Sequence, residues 1–373
     1  QNFLPNVAII GSGVCGLSIG WRLASAGCKV NIYERGQSAR EASWAAAGML
    51  AAGVECEPGE ENLLKLTTLS QQLWPKFLQD LSIDSKQNPE YRDEGTLVVA
   101  LNHDDATRLD FTYNFQKTLG INLEWLDGHE ARKLEPHLSP SIVAGVYSCN
   151  DHQINNRLLL KALEEAFIFQ EGVIHENTEV TGIEIYNESV KGVIIDNSLI
   201  QADVIVVAAG AWSNNLKGLT QELTPPVRPV KGQMLSLSMD PNIPLLKHVV
   251  WGPTAYLVPR CDGKLLVGAT IEENGFNSHL TAGGIFSLLE ACWRVIPNIE
   301  ELPIHEMWVG FRPTSRDDAP ILGATNIKGL VMATGHHRNG ILLAPVTANS
   351  VSNFILTGNI TKEIEPFSIE RFS

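Results

Sequence analysis

A short apolar run rich in β-branched residues, Val7-Ala8-Ile9-Ile10, leads straight into Gly11-Ser12-Gly13-Val14-Cys15-Gly16, a complete GxGxxG. The run has the make-up of a central parallel strand. A helical pattern follows to Ala26, with Gly16, Gly20 and Ala24 four apart on one face, so the helix can approach a sheet closely. Gly27 suits the C-terminal cap, and a second strand pattern runs from Cys28 to Tyr33 and ends at Glu34. In such a unit Gly11 permits the tight turn, Gly13 lets backbone approach a pyrophosphate, and Gly16 lets helix and strand pack. The helix N-terminus offers free N–H groups and a partial positive charge to that anion. Glu34 is placed to accept hydrogen bonds from an adenosine ribose. A lone glycine-rich turn is weak evidence. Here strand, turn, helix, second strand and terminal acid agree in order and spacing, which is the context test for a dinucleotide site.

An acid at the end of the second strand fits NAD or FAD and disfavours NADP. The segment Ser43-Trp44-Ala45-Ala46-Ala47-Gly48-Met49-Leu50 favours FAD, because so many small residues suit backbone packed against a bulky planar ligand. An Ala-rich helix of good propensity is the competing reading of the same letters.

The rest of the chain fits a soluble enzyme of two domains. Its 373 residues, 44% hydrophobic and 19% charged, can bury a large core. A formal net charge of −14 argues against a nucleic-acid backbone or an anionic membrane as main partner. The six cysteines show neither CxxC spacing nor a zinc-finger His, so no metal site is expected and the thiols fit a reducing compartment. Ala24-Ser25-Ala26 imitates a signal-peptidase site, but no Lys or Arg precedes the apolar run and glycines break it. With no stretch of about 18 apolar residues, no membrane span is expected. A cytoplasmic location follows from these readings.

Nucleotide-binding pieces lie at both ends and in the middle. Asp203 to Ala209 is a buried-strand pattern that stops at Gly210, and Leu330 to Thr334 is another short strand before a Gly/His/Arg/Asn loop and an apolar helix from about Ile341. The expected fold class is therefore α/β: a Rossmann-like FAD-binding domain from residues 1–85, 145–218 and 315–373, with a discontinuous antiparallel-sheet substrate domain from 86–144 and 219–314. Strand-like runs at Gly95–Leu101, Gln233–Leu237, Ala255–Pro259 and Lys264–Ala269 supply the second sheet.

Several separated motifs carry a family likeness: the turn at Gly11, the segment at Ser43, Asp203 to Ser213, Arg228-Pro229-Val230-Lys231-Gly232-Gln233, Gly310-Phe311-Arg312-Pro313-Thr314 and Thr334 to Pro345. In these the chain resembles the D-amino-acid oxidase superfamily, and within it the glycine oxidases of thiamine biosynthesis, over nearly its whole length. The resemblance implies FAD and oxidation of glycine or a similar small amine to the imine, with glyoxylate, ammonia and hydrogen peroxide as products, or with the imine entering thiazole synthesis. Sarcosine or a small D-amino acid as substrate, a dehydrogenase, a non-catalytic flavin-binding subunit and an NAD-linked enzyme are the competing functions. The partners implied are the small amino acid and oxygen; a homo-oligomer is left open.

Oxidation of an amine by FAD needs no metal and no dedicated nucleophile; the protein orients the substrate and excludes water. Arginine is the best anchor for a substrate carboxylate, because its planar fork makes two parallel hydrogen bonds. The resemblance assigns that role to Arg312, a second contact to the Tyr256 hydroxyl, and a gating or field-setting role in the active site to Arg338. Together with the turn residues, it implies cofactor contacts at Gly11, Gly13, Val14, Cys15, Gly16, Glu34, Arg35, Ser43, Ala46, Ala47, Gly48, Met49, Val180, Gly210, Trp212, His337, Arg338, Asn339, Gly340, Ile341 and Leu342. His336 and His337 invite an acid–base role, which this chemistry does not require. Departures from the family pattern at Thr254 (for a His), Ala51 (for a Gly) and Trp44 (for a small residue) bear on the substrate more than on the fold.

Overall fold

The computed structural model describes residues 3–373. Its first sheet has six strands, in the order Ile321–Ala324, Leu330–Thr334, Val204–Val207, Asn6–Ile10, Lys29–Tyr33 and Val173–His175. All neighbours are parallel except the Ile321–Ala324 edge. The central strand Asn6–Ile10 is buried from Val7 onward, as expected for a strand covered on both faces. The helix Val14–Ser25 packs on it through its small face: a Cβ at Gly16 would lie 2.0 Å from the Gly11 carbonyl oxygen, and one at Gly20 about 3.1 Å from the Ile32 and Phe167 side chains. Helices Glu61–Asp84, Asn156–Phe169 and Ala344–Thr357 complete this layer around a core that includes Trp21, Trp74, Phe77 and Phe167.

The second sheet has eight strands, in the order Ile304–Thr314, Arg228–Ser238, Lys264–Gly268, Tyr256–Pro259, Val249–Trp251, Thr96–Ala100, Ala144–Ser148 and Glu124–Asp127. It is antiparallel save for the pairing of Val249–Trp251 with Thr96–Ala100. Its strand Ala144–Ser148 keeps the chain in this sheet slightly beyond the expected boundary at 145, while the long edge strand stops at Thr314. A separate three-stranded sheet covers Gly182–Gln201.

One helix starts later than its apolar pattern suggests. Residues His337–Asn339 form a short 3-10 turn, and the helix begins only at Ala344. Pro345 explains the shift: its missing N–H and fixed φ suit the first helical turn, so the apolar residues before it serve as the approach to the helix.

Candidate active site

A single cavity of about 1150 Å³ joins the two sheets. At one end it is lined by Gly11, Gly13, Val14, Cys15, Glu34, Arg35, Ser43, Val180, Gly210 and Trp212; at the other by Met49, Glu55, Phe115, Trp251, Thr254, Tyr256 and Arg312, with Ala46, His337, Arg338, Gly340 and Ile341 also on its walls. The volume exceeds the roughly 300–1,000 Å³ usual for one small ligand, which suits a dinucleotide together with a second molecule.

The dinucleotide end is built from backbone. Gly11 adopts φ +105°, and a Cβ there would sit 2.2 Å from the Ala208 carbonyl oxygen, so only glycine fits the turn. The helix behind it begins at Val14 with no acid in its first turn, which leaves its positive end open to an anion. Ser43 Oγ accepts a hydrogen bond from the Val14 N–H at 2.9 Å and ties the Ala-rich segment to the cradle. The Glu34 carboxylate, nearly buried, accepts from the Ser12 N–H, the Ser12 hydroxyl and the Gly36 N–H. It thus locks turn and second strand together while still lining the cavity. Arg35 lies 3.6 Å over the Trp212 ring, a cation–π contact that rigidifies this rim.

The other end is built from side chains. Arg312 comes from the edge strand, directly across from Val230. Its guanidinium lies flat over Gly232, where a Cβ would approach it to 2.9 Å. It donates to the Thr270 carbonyl at 3.2 Å and to the Lys231 carbonyl at 3.4 Å. Beside it stands Tyr256, whose ring occupies the space above Gly268; a Cβ on that glycine would meet the ring at 2.5 Å. Burial pushes the Tyr256 phenol up to about 12, against the opposing pull of Arg312, so the hydroxyl keeps its proton. A guanidinium fork and a neutral O–H donor share one wall of the cavity. Gly232 falls within a family motif and Gly268 within none, and for both only the tertiary placement of their neighbours shows the task.

Arg338 also faces the cavity, but its charge is already engaged. Its guanidinium donates to the Glu55 carbonyl at 2.8 Å and to the Glu60 carboxylate at 3.0 Å, and lies 3.3 Å from the Glu55 carboxylate. It clasps the wall segment that carries Glu55. Desolvation pushes the Glu55 carboxyl up to about 7, only partly offset by Arg338. Glu55, Trp251 and the aromatic pair Phe111 and Phe115 on the helix His103–Thr118 line this end without having been singled out by motif.

The two histidines are kept neutral. Burial pulls His336 down to about 4, and burial together with the Arg338 charge does the same for His337. His336 contacts the Cys15 thiol and Thr347, and His337 Nδ1 lies 2.8 Å from the Thr314 hydroxyl. Of the remaining expected cofactor contacts, Gly16, Ala47, Gly48, Asn339 and Leu342 are not on the cavity wall. Gly16 packs helix on turn, and Gly48 (φ +70°) lies against the Ile154 carbonyl. The Ala47 carbonyl is taken by the buried Arg260, which also binds Gln153 and Asn156. The Leu342 side chain is buried in the core, and its carbonyl accepts from Ser70 and Trp74. Gly16, Ala47, Gly48 and Leu342 thus support the wall from behind, and Asn339 is buried between the cavity-lining Arg338 and Gly340.

No group of three or more His, Cys, Asp or Glu among the described residues is placed to hold a metal, and no helix among them is long and apolar enough to cross a membrane. What the fold offers is a dinucleotide cradle opening onto a largely apolar pocket that carries a guanidinium and a phenol hydroxyl, the layout of an oxidoreductase whose cofactor and substrate share one cavity. The chain belongs to the FAD dependent oxidoreductase family, whose model it matches over residues 6–353. FAD is accordingly its cofactor, and the open helix terminus and the glycine-only turn at Gly11 fit a pyrophosphate.

Among its relatives is the glycine oxidase of Geobacillus kaustophilus, 33% identical over 371 residues that span 98% of this chain and 97% of that protein. The bifunctional protein ThiO/ThiG of Trichormus variabilis is 35% identical over 98% of this chain but only 55% of its own length. The chain thus spans about half the length of the bifunctional relatives it matches. The crystal structure of glycine oxidase from Geobacillus kaustophilus superposes with a TM-score of 0.91, covering 98% of both chains at 32% identity.

Proposed function

We propose that this protein oxidises glycine, or an amine of comparable size, to the imine, with oxygen as final electron acceptor and hydrogen peroxide as a product. The observation that carries the reading is the pairing of the Arg312 guanidinium with the Tyr256 hydroxyl on one cavity wall, because a fork of N–H donors beside an O–H donor matches a carboxylate. Relatives named glycine oxidase align over almost the full chain. Those named ThiO/ThiG add a further expectation, that the imine is passed on to thiazole synthesis for thiamine. In water the imine hydrolyses, and the balance is glycine, oxygen and water giving glyoxylate, ammonia and hydrogen peroxide.

Held at the Gly11 turn and the Val14 helix terminus, FAD would supply a two-electron acceptor for oxidation of the amine. The chain's own residues do the rest. Arg312 and Tyr256 hold the carboxylate and so fix the direction of the Cα–H bond. Phe115, Trp251 and Met49 keep the surroundings apolar, which favours an uncharged amine over an ammonium. His336 and His337 are held in the neutral form and add no positive charge to the cavity. In the proposed division, residues 1–85, 145–218 and 315–373 hold FAD, and 86–144 with 219–314 hold the substrate.

The test is anaerobic mixing of the FAD-loaded protein with glycine, sarcosine and small D-amino acids, followed by admission of air. Bleaching of the flavin absorbance, strongest with glycine, and recovery with peroxide release are expected. Bleaching by sarcosine or a D-amino acid alone would reassign the substrate. Failure to recover in air would make the protein a dehydrogenase, and no bleaching by any of them would overturn the reading.

A further inference from the structure

The motif Arg228-Pro229-Val230-Lys231-Gly232-Gln233 alternates across its strand. Val230, Gly232 and Met234 face the cavity, while Lys231 and Gln233 point to the opposite side and are buried at 1% and 0% exposure. A fully buried lysine is expensive to desolvate and rarely persists without a task. Here its ammonium donates to the His279 carbonyl, and its backbone exchanges two hydrogen bonds with Glu272, at 2.8 and 3.0 Å. Gln233 donates to the Glu272 carboxylate and to the Thr281 hydroxyl, each at 3.0 Å, and accepts from the Thr281 N–H at 2.9 Å. Its own N–H donates to the Thr270 hydroxyl at 2.8 Å, and that hydroxyl donates to Glu272 at 2.6 Å. Burial pushes the Glu272 carboxyl up, but the bonds from Thr270 and Gln233 and the nearby Lys231 charge outweigh it and leave the group below its ordinary value.

These bonds all end on one segment, residues 270–281, which follows the Lys264–Gly268 strand. Two of its residues, Ile271 and Glu273, line the cavity, and its Thr270 carbonyl is one of the two oxygens that hold the Arg312 guanidinium. The other oxygen is the Lys231 carbonyl itself. The segment's other end is fixed by Lys231 on His279 and by Gln233 on Thr281, next to the helix Ala282–Val295.

We propose that buried Lys231 and Gln233, with the half-exposed Glu272, form a positioning device for substrate binding: the cluster pins segment 270–281 to the back of the sheet and thereby holds the two carbonyls that aim the Arg312 fork into the cavity. The proposal rests on the carboxylate-clamp reading of Arg312 and Tyr256. It assigns Lys231, Gln233 and Glu272 an effect on binding of any small carboxylate, with no contact to substrate or cofactor.

The experiment uses the FAD-loaded protein and two readouts: steady-state kinetics with glycine, and titration with acetate followed through the flavin absorbance. Lys231→Met is expected to raise both the KM for glycine and the acetate Kd by about tenfold, the scale of a misplaced binding group, with kcat changed less than about threefold and the flavin retained. Lys231→Arg restores most of the affinity, since the charge can still reach the His279 carbonyl. Should Lys231→Met fail to fold, Thr270→Val cuts the link between the cluster and the Arg312-holding carbonyl while leaving the Lys231 ammonium on the His279 carbonyl. It removes two hydrogen bonds, from the Gln233 N–H and to the Glu272 carboxylate, and is expected to raise the acetate Kd by about threefold, because only part of that loss reaches the Arg312 fork. Unchanged acetate binding in Thr270→Val and in whichever Lys231 variant folds would overturn the proposal. So would an equal loss of kcat, flavin content and affinity, which marks a merely structural role. If Arg312→Ala also leaves acetate binding unchanged, it is the clamp reading that has failed.

Discussion

At the Gly11 end of the cavity, the recognising groups are backbone N–H donors at a helix terminus and a turn that only glycine can make. At the Arg312 end they are two side chains from different strands, each lying over a glycine that leaves room for it. The first arrangement is local: strand, turn, helix and second strand span residues 6 to 34 and position one another through contiguous chain. The second is assembled from afar, since Arg312, Tyr256, Gly232 and Gly268 meet only when four neighbouring strands of the second sheet pair. A locally built site and a remotely built one should fail differently when a single methyl group is added, because in the first the methyl meets backbone and in the second a side chain that can turn aside.

Gly11→Ala should give the largest effect. The new Cβ would fall 2.2 Å from the Ala208 carbonyl at a φ of +105°, so strand, turn and helix must separate. We expect protein purified without bound flavin, or no soluble protein at all, as read from the ratio of visible to ultraviolet absorbance. A Gly11→Ala variant that keeps its flavin would mean the cradle is less rigid than its geometry implies.

Arg312→Ala comes next, and removes the anchor at the other end without touching the first. Loss of a bidentate charged contact is expected to raise the KM for the amino acid by about a hundredfold, with FAD still bound. Gly268→Ala should be milder: the methyl would meet the Tyr256 ring at 2.5 Å and push the hydroxyl away from the clamp. A rise in KM of about tenfold at unchanged flavin content is expected, comparable to losing one hydrogen bond to a charged group. If Gly268→Ala instead loses its flavin, the two ends are mechanically coupled and the contrast between them breaks down.

The same contrast explains what could be read from the sequence. The dinucleotide unit was legible because its requirements repeat at fixed spacing along the chain: β-branched strand, GxGxxG, small helix face, terminal Glu34. Arg312 and Tyr256 were reachable only through motif likeness. The likeness named the residues that point into a cavity, but could not separate lining from support. Gly48, Ala47 and Leu342 illustrate this, since each has a cavity-lining neighbour in sequence while its own contacts are to the structure behind. Arg260, which secures the Ala47 carbonyl from more than two hundred residues away, left no local signal. Lys231 stands in a motif, but its burial left no signal, because charged letters in a strand read as solvent-facing until the covering segment is placed. Helix starts suffer from the same locality: the apolar pattern from Ile341 is real, yet Pro345 sets where the helix begins.

The smallest expected effect concerns the seam between the two ends, where His336 lies against Cys15 of the cradle and Thr347 of the helix Ala344–Thr357. Burial holds its imidazole at about 4 rather than 6.5. Between these values the unfolded chain binds a proton at this site that the folded protein refuses. The stabilising contribution is therefore present in full above pH 6.5 and drains away as pH falls toward 4. His336→Gln, which can still hydrogen-bond Thr347 but does not titrate, should flatten that slope: its melting temperature is expected to fall less than the parent's between pH 7 and pH 5, by about a few degrees for a chain of this size. Parallel melting curves for the two proteins across that window would mean that His336 is hydrated or paired in solution. The cradle and the helix behind it would then be less tightly joined than the contact with Cys15 implies.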